Sequence, residues 1–270
     1  MADEIEDLLH RRSDLSTFLV HLTRDGKKKS AYERLLTMLV DKCIEARSVF
    51  GMASDWADQD EAVADTQRCV CFTEVPLEQV WMVTREITLR QVHLRPYGLA
   101  FMKGYGRKRG ANPVWYLDIT PTHNWLTNPI NVLVEIALRG EAYSIDSTPP
   151  AVNGALIQGP PPHENPILKL TPFMEQMGTR PGYYKKEFWW EREWRMVGDF
   201  NFLSYNNVVA VFVPEAEHDQ FHGDLAIALD KDVEWVERRL PLLDAQWGLE
   251  RMIARLAGVE DQDAGPFPGA

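Results

Sequence analysis

Apolar and polar positions divide the chain into recognisable elements. Residues 16–23, Ser-Thr-Phe-Leu-Val-His-Leu-Thr, are β-branched and apolar and close on Asp25-Gly26, the pattern of a buried strand ending in a turn. Ser30 stands where a helix cap is expected. Tyr32, Leu35, Leu36, Leu39 and Ile44 then recur at helical spacing to about Arg47. Residues 55–65 are acidic and predict a surface loop. The segment Arg68–Thr73 reads as a short strand stopped by Glu74-Val-Pro76, and a helix is predicted from Leu77 to about Ile87. Segments 97–102 and 112–117 read as strands, and 125–139 as a helix.

Further along, residues 148–166 are rich in Pro, Gly and Asn without apolar periodicity, so a long surface loop is expected. Segment 188–197 alternates: Trp190, Arg192, Trp194 and Met196 on one side, Glu191, Glu193, Arg195 and Val197 on the other. Residues 208–213 form an apolar strand before Pro214, and 232–257 carry helical spacing. Residues 1–15 are expected as an N-terminal helix or arm and 259–270, rich in Gly and Pro, as a disordered tail. Between them the chain reads as a single α+β domain over 16–258, because short strands mix with segregated helices instead of alternating as βαβ units.

Composition narrows the function. Hydrophobic residues make up 45% of the 270 and aromatics 10%, ample for a packed core. The formal charge of −11 argues against a non-specific grip on nucleic acid, which needs an excess of Lys and Arg to displace counterions. A local basic patch stays open, and residues 103–110, Lys-Gly-Tyr-Gly-Arg-Lys-Arg-Gly, are the densest basic stretch. They are expected to lie between two strands with no helix opening after them, so they are not a dinucleotide fingerprint. Cys43, Cys69 and Cys71 are too few and too irregular for a disulfide framework and suit a reducing compartment. No zinc partner set accompanies them, and no metal is expected. The start MADEIEDLL is acidic where a signal peptide is basic, and no apolar run approaches ~20 residues. The expectation is a cytoplasmic protein without a membrane segment.

Two groups of residues can carry chemistry. Strand alternation puts His21 and Thr23 on one face, where a ring nitrogen and a hydroxyl suit an amide or ribose edge. Glu191 and Glu193 stand two apart, ~7 Å along a strand, with Arg195 next on the same face. The aromatics Phe188, Trp189, Trp190 and Trp194 around them suggest a partly desolvated wall where carboxylate pKa values shift. A metal-dependent nuclease using Glu191, Glu193 and Asp199 is one alternative for these acids.

The order of these motifs is more specific than any one of them. His21-Leu-Thr23, Cys71-Phe-Thr-Glu-Val-Pro76, Tyr97-Gly-Leu-Ala-Phe101, Gly110-Ala-Asn-Pro-Val-Trp-Tyr116 and Trp190-Glu-Arg-Glu-Trp-Arg195 resemble the pattern of AbiGi-type abortive-infection proteins, bacterial phage-resistance proteins of which some are antitoxins. The resemblance spans roughly residues 16–213. That pattern is similar, more distantly, to DarT-like ADP-ribosyltransferases. What this similarity implies is a split antiparallel or mixed sheet with flanking helices, with NAD as substrate and a nucleic-acid or protein acceptor. It further implies NAD contacts from His21 and Thr23, and a catalytic role for Glu193 supported by Glu191 and Arg195. The family's supporting arginine has three candidates here, Arg47, Arg90 and Arg95. Aromatic rings such as Tyr97 and Tyr116 can stack on nicotinamide or adenine. The resemblance equally implies an alternative, a non-catalytic antitoxin that neutralises a partner toxin.

Overall fold

A computed structural model describes residues 14–57, 60–86, 92–121, 125–140, 151–152, 155–156, 159–179, 187–229 and 240–259. Residues 1–13 of the expected arm and 260–270 of the expected tail lie outside them, as does Arg90. The chain begins with β1 (Phe18–Leu22), α1 (Ala31–Asp41), β2 (Cys43–Ile44), β3 (Ser48–Val49), α2 (Ser54–Ala57) and α3 (Glu61–Gln67). Next come β4 (Arg68–Thr73), a 3-10 turn at Leu77–Gln79, α4 (Val80–Thr84), β5 (Gly98–Met102), α5 (Lys103–Lys108), β6 (Asn112–Pro113) and β7 (Trp115–Asp118). The central part holds α6 (Thr127–Leu138), β8 (Ala151–Val152), β9 (Ala155–Leu156), α7 (Pro166–Leu170) and β10 (Met174–Met177). The last part holds β11 (Glu193–Val197), β12 (Phe200–Asn201), β13 (Val208–Phe212), α8 (His218–Ala228), β14 (Leu242–Leu243) and α9 (Leu249–Leu256). The fold is α+β with mixed pairing: β13 with β14 and β7 with β10 are parallel, while β1 with β5 and β11 with β6 are antiparallel.

Contacts divide the chain into two compact units. The first is Met1–Ile44, Phe72–Arg109 and Phe200–Ala270, and the second is Glu45–Cys71 and Gly110–Asp199.

In the first unit the strand order is β14-β13-β5-β1, with the Thr73 end of β4 paired to Val20 of β1. Leu19, Val20, Leu99, Ala100, Phe101, Val211 and Phe212 are all buried, so both faces of this sheet are covered. That is why these strands read as unbroken apolar runs. Phe72, Phe101 and Phe200 meet edge to face, with Phe200 at 5.0 and 4.9 Å from the other two ring centres. Helix α1 begins as the sequence foretells. Ser30 accepts from the Glu33 N–H at 3.2 Å and the Glu33 carboxylate accepts from the Ser30 N–H at 2.7 Å, a capping box. The helix stops earlier than Arg47, because Lys42 takes the left-handed conformation (φ 49°) and its N–H turns back to the Leu39 carbonyl. Ile44 therefore belongs to β2, paired with Phe200 of β12.

Residues 103–108 form a helix, α5, where the sequence suggested a loop. Two glycines weaken a helix, and tertiary contacts offset that here. The Lys103 N–H donates to Thr17 O at 2.8 Å, and its Nζ reaches Ser16 O at 2.7 Å and Glu74 at 2.8 Å. The Tyr105 ring packs on Phe101 and Phe200, at 6.4 and 5.9 Å.

In the second unit the Arg68 end of β4 pairs with β3, and β11 pairs with β6. Its apolar centre is Ala53, Leu117, Ile130, Val134, Ala137 and Leu168. Residues 55–65 lie largely in α2 and α3 instead of a loop. Asp60 caps α3 by accepting from the Ala62 N–H at 2.9 Å, while Val63, Ala64 and Gln67 turn inward. The expected loop 148–166 contains a small hairpin, Ala151 opposite Leu156 and Val152 opposite Ala155, and a 3-10 turn at Pro162–Glu164. The Asn153-Gly154 pair between the two strands is the sequence signal for such a hairpin.

Candidate functional site

The expected strand over 188–197 starts only at Glu193. Trp189–Glu191 is a 3-10 turn, and Arg192 follows in the left-handed region (φ 48°). Glu191 therefore does not share a strand face with Glu193, and the alternation holds only beyond the turn. Within β11, Trp194, Arg195 and Met196 are all buried, so the strand has no open side at its centre. The β6 pairing, Arg195 opposite Asn112, and the Val114 N–H on the Glu193 carbonyl at 2.9 Å fix its register.

Arg195 is the centre of this unit's polar interior. It is 1% exposed, and every donor group is engaged. Nε donates to Glu193 Oε1 at 2.9 Å and Nη2 to Glu193 Oε2 at 2.9 Å, a two-bond fork. Nη2 also donates to Glu175 at 2.8 Å, and Nη1 to the Pro172 carbonyl at 2.7 Å. The Phe50 ring lies 4.9 Å from the guanidinium carbon. Burial alone pulls the guanidinium pKa down, but the Glu193 and Glu175 charges more than offset it, and the net direction is up.

The neighbours are placed by local structure. Tyr116 on β7 stands opposite Glu175 on β10, and its hydroxyl donates to Glu193 Oε2 at 3.3 Å. Gly51 sets the turn after Phe50 with φ 88°; a Cβ there would sit 1.9 Å from the Thr171 carbonyl. Thr171 in turn donates to Gln67 at 2.8 Å, and the Gln67 amide donates to the Leu168 carbonyl at 2.9 Å. This chain of buried hydrogen bonds ends one residue before Pro172, the carbonyl that holds Arg195.

Titration follows the geometry. Burial, then the charges of Glu193 and Glu191, pushes the Tyr116 hydroxyl well above its ordinary range. Burial pushes Cys69 up to about 12, with Glu193 adding to it and Arg195 opposing. Cys71 rises well above 9.0 for the same reasons, helped by a hydrogen bond to Glu193. All three groups are held neutral at physiological pH.

The structure thus brings together Glu193, Arg195 and Tyr116, with Glu191 acting on Tyr116 through its charge. Glu175, Phe50 and the two cysteines complete the cluster. Nothing in the sequence marked Glu175, because β10 is too short to show a pattern. His21, Thr23 and Tyr97 belong to the first unit. The His21 ring meets Phe72 edge to face at 5.9 Å. Thr23 is buried, and its hydroxyl lies 3.2 Å from Ala31 O and 3.0 Å from Tyr97 O. The Tyr97 hydroxyl donates to the Glu217 carboxylate at 2.9 Å. Arg47 is half exposed and pairs with Glu45. Arg95 pairs with Asp25 at 2.6 Å. Among the described residues no three His, Cys, Asp or Glu side chains stand together as a metal site, and Asp199 accepts from the Ala46 N–H at 2.7 Å. Among the described residues, Glu191, Glu193 and Asp199, the acids of the nuclease alternative, do not form such a cluster.

A family model described as "abortive phage resistance protein AbiGi, antitoxin" matches residues 36–222, more than half of the chain. The chain belongs to the AbiGi family. The AbiGi match contains β4, β5 and the whole Arg195 cluster, and it begins after His21 and Thr23. Neither a curated protein nor a solved structure matches the chain. No helix among the described residues is long and apolar enough to cross a membrane.

Proposed function

We propose that this chain is the antitoxin of an abortive-infection pair, acting by binding a partner toxin and not by chemistry of its own. Membership of the AbiGi family carries the phage-resistance role. The observation that supports a binding role is the fork between Arg195 and Glu193. A carboxylate that is to stabilise an oxocarbenium ion has to offer its charge to the ligand. Here both Glu193 oxygens accept from a buried guanidinium, and Tyr116 and Cys71 donate to the same group. Glu193 then serves the interior, as the counter-charge without which Arg195 would be buried unpaired.

A second reading, ADP-ribosyl transfer from NAD to a nucleic-acid or protein acceptor, is favoured by one observation. The fork holds Glu193 in a single orientation beside Tyr116, as a preorganised catalytic carboxylate would be. In that reading Glu193 is the carboxylate that stabilises the oxocarbenium ion of the transfer.

One experiment separates the two. Cells producing the cognate toxin of the system are made to co-produce this chain, and growth is followed. NAD is titrated into the purified chain by calorimetry in parallel. The antitoxin reading expects restored growth and no heat from NAD. Saturable NAD binding that Glu193→Gln abolishes would overturn it in favour of the transferase.

A further inference from the structure

The basic stretch at α5 has no part in the Arg195 cluster, and its side chains have a physical character of their own. We propose that Arg107, Lys108 and Arg109 form a docking surface for an acidic, partly apolar segment of a partner protein, an inference that rests on the antitoxin reading. The three cations are consecutive and exposed, on a chain whose formal charge is −11. Among the described residues no carboxylate pairs with any of them. By contrast Arg68, Arg95, Arg195 and Arg251 each have an acidic partner. Lys103, one turn earlier, is also engaged, with Glu74. Two cations in the last turn suit the helix dipole, and that accounts for neither the third nor the lack of a paired acid among the described residues.

The helix is held firmly enough to present them. Its first residue is tied to Ser16, Thr17 and Glu74, and the Tyr105 ring packs on Phe101 and Phe200. An exposed apolar side chain stands at the start of the same helix. Met102, 48% exposed, immediately precedes the helix. Gly104 is exposed, and a Cβ on it would meet nothing within 4 Å, so a partner can approach the helix backbone there. The other basic run, Lys27 to Lys29, follows the opposite end of β1, since Phe18 of β1 pairs with Met102 and Leu22 with Gly98.

Charge and apolar surface together favour a protein over a nucleic acid. Screening confines the patch's field to ~8 Å at physiological ionic strength. A short acidic segment fits inside that range, whereas a duplex would run on across an acidic body. Met102 at the start of the same helix gives an acidic amphipathic segment something to bury.

The test uses the full chain and a labelled peptide of alternating Glu and Leu, read by fluorescence anisotropy at two salt concentrations. Oligonucleotides, single-stranded and duplex, serve as competing probes. The charge reversal Arg107→Glu, Lys108→Glu, Arg109→Glu is compared with a neutral triple-Gln version and with Lys27→Glu, Lys28→Glu. Peptide binding that falls about tenfold in both α5 variants, is unchanged in the Lys27/Lys28 variant and weakens with salt is the expected result. Equal binding by wild type and the triple-Gln chain, or tighter binding of either oligonucleotide through the same residues, would overturn the proposal. In the co-production assay, α5 variants that still restore growth overturn this surface and leave the antitoxin reading intact. A wild-type chain that fails to restore growth overturns the antitoxin reading, and peptide binding then judges the surface separately.

Discussion

Arg195 Nε and Nη2 donate to the two carboxylate oxygens of Glu193, two residues back on the same strand, both at 2.9 Å. Because Arg195 also holds Glu175 and Pro172, its guanidinium is the joint between β11, β10 and the turn before β10. Lysine cannot reproduce the fork, having a compact ammonium where arginine has a planar set of five donors. Arg195→Lys is expected to lower unfolding free energy by ~3 kcal/mol, within the range for breaking a buried ion pair, in urea titration. An unchanged midpoint would remove the central role given to this residue.

The alkaline limit should reflect the thiols beside this cluster. The ordinary thiol pKa is 9.0, and burial raises Cys69 to about 12. A raised folded-state pKa contributes stability that is complete below 9 and is lost as pH climbs through about 12. Urea midpoints measured from neutral to high pH should therefore begin to fall above pH 9, and Cys69→Ser should flatten that fall. A maleimide at neutral pH should label native Cys69 far more slowly than the urea-unfolded chain.

Thr23 gives a contrasting expectation. Its hydroxyl faces the carbonyls of Ala31 and Tyr97, joining the end of β1 to the start of α1. Thr23→Val keeps the shape and removes a buried side-chain hydrogen bond, while the Tyr97 carbonyl still accepts from the Thr23 N–H at 2.8 Å, so a loss of ~1 kcal/mol in chemical unfolding is expected. Growth restoration should survive it. Loss of function with no loss of stability would instead point to a ligand contact at Thr23.

Much of the first unit could be read in the sequence, because each of its signals is local. The apolar runs of β1, β4, β5 and β13 are long enough to show, and Ser30 with Glu33 marks the start of α1. What failed depended on contacts distant in sequence. α5 forms despite two glycines because Lys103 and Tyr105 are anchored to Ser16, Glu74 and Phe200. The turn at Trp189–Glu191 looked like strand because its aromatics alternate, and only the left-handed Arg192 separates it from β11. At the site, Glu193 and Arg195 were visible as a pair, but their mutual fork was not. Glu175 and Phe50 come from segments whose sequences carry no such signal.

Ser30 offers a clean local test of the part that was legible. Its side chain caps α1 and the Glu33 carboxylate returns the bond. Ser30→Ala should lower stability by ~1 kcal/mol, with Ser30→Asp restoring most of it, in the same urea assay.

The central claim is that Glu193 serves the interior as the partner of Arg195 and that the chain works by binding. It is tested most directly by growth of cells co-producing the cognate toxin with the Glu193→Gln chain, scored at matched levels of folded protein. The expected result is growth restored as well as by wild type, alongside a lower urea midpoint for the purified variant. A folded Glu193→Gln chain that fails to restore growth would contradict the account and return Glu193 to a catalytic role.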